Sequence, residues 1–128
     1  MAQATPQAFL PDLAASLTSL GLRLADVGRR EEALAAAQEA TALYRELAQV
    51  NPQAFLPDLA GSLGMYGFVL LDLGRAQEAQ EAFAEGLRAI RPLAQAHPAA
   101  FGNLAAMLEK GYLWARQKVE EEEKKRQG

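Results

Sequence analysis

The sequence predicts an all-α protein, an α-solenoid of antiparallel helix hairpins stacked as one domain over residues 1–128. Three observations carry this expectation. The phrase "PQAFLPDLAASL" at 6–17 returns as "PQAFLPDLAGSL" at 52–63 with one letter changed, so the chain is a tandem repeat with a 46-residue period. Within each copy the apolar residues recur at steps of three and four, the period of a helix, and do not alternate as strands require. Gly28 and Gly74 divide each copy into two segments of helical length. A glycine there accepts the left-handed conformation that ends a helix, and a short connection makes the two flanking helices antiparallel.

The elements follow in order. The first helix of repeat 1 (residues 6–51) carries Leu13, Leu17, Leu20, Leu24 and Val27 on one face. Its second helix carries Ala33, Ala37, Ala40, Tyr44 and Leu47. Repeat 2 (residues 52–97) repeats both faces, with Leu59, Leu63, Tyr66, Leu70 and Leu73, then Ala79, Phe83, Gly86, Ile90 and Leu93. Thr5-Pro6 and Asn51-Pro52 are helix starts, a capping side chain followed by a proline in the first turn, where its missing N–H is not needed. Pro11 and Pro57 lie five residues further on and remove a donor that a regular helix uses. They predict either a kink or one short turn before the main helix. After Pro98 a third copy opens with "AAFGNLAAML", which reads as one residue shorter than its predecessors. From about Ala99 the chain is expected to form a capping helix. Its polar end "LWARQKVEEEEKKRQG" places glutamates four residues before Lys124, Lys125 and Arg126, the favourable order along a helix.

Composition narrows the function classes. Alanine accounts for 27 residues and aromatics for 7%, which favours closely approaching helices over a large aromatic core. Cysteine is absent, which excludes disulfides and thiolate metal sites and fits a reducing, cytoplasmic setting. The net charge of −3 supplies no broad basic field for nucleic acid. No apolar run of roughly 20 residues is expected to span a membrane, and no signal peptide is visible at the start. A chain that opens at a repeat boundary and closes in a polar helix has the layout of an excised or engineered array.

At "LGLRLADVGRREEALAAAQEA" (20–40) the chain resembles the tetratricopeptide repeat family. Leu17, Leu20-Gly21, Leu24, Gly28, Glu32-Ala33 and Ala40 match the family pattern in order, with Ala37 in a slot usually filled by an aromatic residue. Leu63, Tyr66-Gly67, Leu70, Gly74, Glu78-Ala79, Phe83 and Gly86 match it again, so the resemblance covers most of residues 13–93. The repeat is longer than the usual 34 residues. Small residues at Gly21, Ala33, Gly67 and Ala79 are expected to let paired helices touch. Ala40 and Gly86 are expected to leave room for the next helix.

The resemblance implies a concave surface lined by the first helix of each repeat, where peptides or helices bind. Carried over, the inward positions are Ala15, Thr18, Leu22, Ala25 and Asp26, then Gly61, Gly64, Phe68, Leu71 and Asp72. The Lys, Asn and Arg that grip a peptide C-terminus in some members are absent from these positions. The surface is apolar instead, and Leu22 and Phe68 lie outside the stripe that packs within each unit. The expected partner is a protein or peptide, or another copy of the chain.

Nothing points to chemistry, a cofactor or a metal. His97 is the lone histidine and stands where Asn51 stands one repeat earlier. A metal would need further ligands at fixed spacing. Asp26 and Asp72 are explained by the repeat, the glycines of "GSLGMYG" (61–67) lack the Gly-Lys-Ser/Thr of a phosphate loop, and Glu120–Glu123 read as a solvated helix end. Tyr112 and Trp114 read as packing of the terminal helix.

Overall fold

The computed structural model describes residues 6–128, with side chains from Ala8 onward. Thr5, predicted as a cap, lies outside the described residues. Five helices follow one another: α1 (Pro6–Asp26), α2 (Arg30–Val50), α3 (Pro52–Asp72), α4 (Ala76–Ala96) and α5 (Pro98–Gln127). No strand occurs among the described residues. Each helix packs on the next, and α3 also touches α1 and α5, as in a helical repeat. The pairs are antiparallel hairpins, since contacts such as Thr41 with Ser62 are nearly equidistant from the Asn51 turn.

The turns were legible residue by residue. Gly28 and Gly74 have φ of 83° and 76°. The Arg29 N–H donates to the Leu24 carbonyl and the Gly28 N–H to that of Ala25, and the same pair of bonds recurs from Arg75 and Gly74. These paired hydrogen bonds satisfy carbonyls that the helix end leaves free. Asn51 caps α3 by accepting the Ala54 N–H at 3.3 Å. His97, its repeat equivalent, makes no capping bond and sets its ring edge-on to Phe101 at 6.4 Å.

α1 and α3 begin at Pro6 and Pro52 and run unbroken through Pro11 and Pro57, so no separate short turn precedes them. α5 begins at Pro98, a full 46 residues after Pro52. The third copy is therefore not shortened. The missing second proline, with Leu104 shifted by one, made it read that way.

The second helix of each repeat faces the core as expected: Ala33, Ala37, Ala40, Ala79, Phe83 and Ile90 are fully buried. In α3 the predicted stripe is likewise buried at Leu59, Leu63 and Leu70. In α1 it is not, because Leu13, Leu20 and Val27 are 45%, 48% and 69% exposed. The equivalent face of α3 is covered by the repeat before it, and among the described residues α1 contacts only α2 and α3.

α3 is also long and apolar enough to cross a membrane by length and composition, with a mean hydropathy of 1.4 over its best window. Half of that window is buried between the flanking helices. Its apolarity is that of a central helix, which must present core surface on two sides.

Two interfaces join the repeats, and they solve one packing problem differently. Between α4 and its neighbours, the buried Phe83 ring fills the space above Gly67 of α3 and Gly111 of α5. One period earlier these positions are Ala37, Gly21 and Met65, and there the Met65 thioether fills the space above Gly21. The large residue has moved from the second helix of one hairpin to the first helix of the next. Similarly, Ser62 and Thr41 share a buried 2.7 Å hydrogen bond, while their equivalents Leu108 and Leu87 are buried leucines. Leu108 rests against Gly64 and Gly86, which give it room. At the first interface the bulkier Thr18 and Ala40 occupy the equivalent positions, and the smaller Ser62 stands in the place of Leu108.

Candidate functional site

The ten inward positions belong to rows that step by 46 residues from α1 to α3, and the same step extends them onto α5. Leu22 and Phe68 are followed by Trp114; Asp26 and Asp72 by Lys118; Ala25 and Leu71 by Gln117. Ala15 and Gly61 are followed by Met107, and Thr18 and Gly64 by Lys110.

On α1 the row is open. Ala15, Leu22 and Asp26 are exposed, with Leu22 at 51%. Ala25 and Thr18 are half-buried, and the Thr18 hydroxyl donates to its own helix at the Ala14 carbonyl, 3.0 Å away. On α3 the row is more enclosed. Gly64 is buried beneath Met107 and Leu108 of α5 and presents no surface to a partner. Gly61 is half-buried with open space above it. Phe68 is half-buried too, because its ring packs edge-on to Phe83 at 4.9 Å. Leu22 and Phe68 are therefore unequal: one is free surface, the other is partly committed to the core.

Three of the ten, Phe68, Leu71 and Asp72, line a single pocket with Gly74, Ala76, Trp114, Lys118 and Glu122. Its walls are the end of α3, the first turn of α4 and the second half of α5. Phe68 and Leu71 form an apolar floor, the 52%-exposed Trp114 stands at one side, and Asp72, Lys118 and Glu122 supply a charged rim. The volume is about 130 Å³. That suits one aromatic or branched side chain, since a cavity of about 150 Å³ holds benzene, and it falls below the range of about 300–1,000 Å³ usual for small-molecule sites. The remaining inward residues lie outside this pocket.

Trp114 and Lys118 were missed as site residues by sequence reasoning. The signal is present, since Trp114 is an aromatic 46 residues after Phe68, but reading the third copy as one residue short hides the correspondence. Among the described residues no cluster of His, Cys, Asp and Glu could hold a metal ion, and no buried polar side-chain atom is left without a partner. His97, Asp26 and the glutamates 120–123 are exposed.

Comparison of the chain with protein-family models, with curated proteins and with solved structures finds no match.

Proposed function

We propose that this chain is a non-catalytic protein-binding module, a tetratricopeptide-like α-solenoid whose inner row captures a large apolar side chain of a partner peptide or helix. The observation that carries this reading is the meeting of Phe68, Leu71 and Trp114 in one side-chain-sized pocket at positions related by the repeat. An amphipathic partner helix laid along a row of this kind is read through a few apolar anchors, while the rim sets its orientation. The cysteine-free composition is compatible with a cytoplasmic setting.

The test uses the protein's own reporter. Trp114 is the sole tryptophan, so its emission reads the pocket directly. Peptides bearing one Phe or Leu in a neutral helical background are titrated against the wild type and Leu71→Glu by Trp114 emission, and against the wild type, Leu71→Glu and Trp114→Ala by calorimetry. Binding that shifts Trp114 emission and is lost in Leu71→Glu supports the reading. Binding of equal strength in Leu71→Glu and Trp114→Ala overturns it.

A scaffold that assembles with itself is the second reading, and the apolar stripe left open on α1 favours it.

A further inference from the structure

The outward face of α1 is neither an ordinary solvated surface nor a copy of the surface that joins the repeats. Phe9, Leu13, Leu20 and Val27 are 62%, 45%, 48% and 69% exposed along it. The corresponding face of α3 buries Leu59, Ser62, Met65 and Val69. In α1 these positions are Leu13, Ser16, Ser19 and Arg23. The leucine is kept, while Met65 and Val69 give way to a serine and an arginine. An α2-like helix docked here as α2 docks on α3 would bury the Arg23 guanidinium in the place of a valine, at a cost of several kcal/mol for an unpaired ion.

The opposite end of the stack is different again. Leu63 and Leu70 of α3 are fully buried against the rest of the fold, and their equivalents on α5 are the exposed Glu109 and Arg116. Leu113 between them is 46% exposed, so that end is mixed rather than an apolar match, and a head-to-tail stack would set the leucines of α1 partly against charges.

The face of α1 is complementary to itself. Asp12 and Arg23, both exposed, lie on one flank of the stripe with Ser16 and Ser19 between them. The pairs Asp12/Arg23 and Ser16/Ser19 share one centre, midway between residues 17 and 18, and Leu13/Leu20 and Phe9/Val27 are centred within one residue of it. When two identical helices meet antiparallel across a two-fold axis, residues on one flank meet the same flank of the partner, and each residue faces its mirror position about the centre. Asp12 of each copy then faces Arg23 of the other, twice per dimer. Each Leu13 faces the other copy's Leu20, and the serines let the helices approach. The shallow depression lined by Ala15, Ser16, Ser19, Leu20 and Arg23 lies at that centre.

We propose that α1 is a homodimer interface, in which two copies pair antiparallel through Phe9, Leu13, Leu20 and Val27 with reciprocal Asp12–Arg23 ion pairs. The proposal rests on the self-assembly reading and gives it a geometry. It leaves the pocket on α3 and α5 free.

Sedimentation equilibrium from micromolar to millimolar protein tests it. The wild type is expected to move from 13.8 kDa to twice that mass and stop there. The charge reversals Asp12→Arg and Arg23→Asp are each expected to weaken the dimer about tenfold or more, and the double variant is expected to restore it, because both pairs re-form with reversed polarity. Leu13→Glu/Leu20→Glu is expected to stay monomeric with unchanged helical circular dichroism. A wild type that remains monomeric overturns both the geometry and the self-assembly reading. A dimer that survives the double-glutamate variant, a double reversal that fails to restore association, or growth beyond two copies overturns the α1 geometry while self-assembly stands.

Discussion

The ring of Phe83 occupies the space that any side chain at Gly111 would need. A methyl group added at Gly111 would overlap the ring, and the same is true at Gly67, so one fully buried phenylalanine is enclosed by a glycine from each neighbouring helix. Removing the ring is expected to cost about 3–5 kcal/mol in Phe83→Ala, because rigid backbones on both sides limit collapse into the cavity. Gly111→Ala is expected to cost about 1–3 kcal/mol by overfilling the same space. The first interface pairs a small residue at Ala37 with Met65, so Phe83→Ala/Gly111→Met is expected to recover part of the single-variant loss. Urea unfolding of the wild type, Phe83→Ala, Gly111→Met and the double variant measures the coupling; simple additivity would refute the shared-space account.

The hydroxyls of Thr41 and Ser62 satisfy each other in the core of the first interface. Ser62→Ala leaves the Thr41 hydroxyl buried without its partner, with an expected cost of about 1–3 kcal/mol. Thr41→Val/Ser62→Ala removes both polar groups and is expected to cost less than the sum of the single variants. Thermal unfolding compared across this cycle reads the difference.

Arg45 of α2 reaches across to Glu85 of α4 with two bonds of 2.8 and 2.7 Å. This hydrogen-bonded guanidinium holds the Glu85 carboxyl below the ordinary glutamate value of 4.5, against the opposing effect of burial. A carboxyl whose folded-state pKa is lowered contributes stability that is complete above its unfolded value and fades as pH falls through the folded value. Glu85→Gln is therefore expected to lower stability at neutral pH by about 0.5–1 kcal/mol, since both side chains are partly exposed and screened. The gap to wild type should close as the pH is taken below 4.5. A gap that is constant across this range would show that the pair contributes nothing through ionisation.

Phe68→Glu is a poor probe of the pocket, because Phe68 also packs on Phe83. It is expected to lower the melting temperature as well as abolish partner binding. Leu71→Glu, which leaves both rings of that pair in place, is expected to abolish binding with a smaller loss of stability. Paired calorimetry and peptide titration separate the two effects.

How much of this was legible in the sequence follows from where periodicity operates. Helix order, both glycine turns and the buried faces of α2, α3 and α4 could be read, because each is repeated twice at one spacing. Exposure on α1 could not, since Leu13 and Leu59 look alike as letters and differ only in whether a neighbour covers them. The pocket was half legible: Phe68, Leu71 and Asp72 follow from the repeat, whereas Trp114 and Lys118 depend on the register of α5. That register is set by where Leu108 and Gly111 meet Gly86 and Phe83, and these are contacts between distant positions.

The opposite choices of filler at the two junctions also tell the hairpins apart. Tandem copies this similar invite mispairing, with the wrong segment answering for its twin. If α5 took the place of α3 beside α2, Ala37 would meet Gly111 and leave a void; if α3 took the place of α5 beside α4, Phe83 would collide with Met65. Each hairpin thus carries the address of its rightful successor in the volume of one side chain, which disfavours scrambled or exchanged chains during folding.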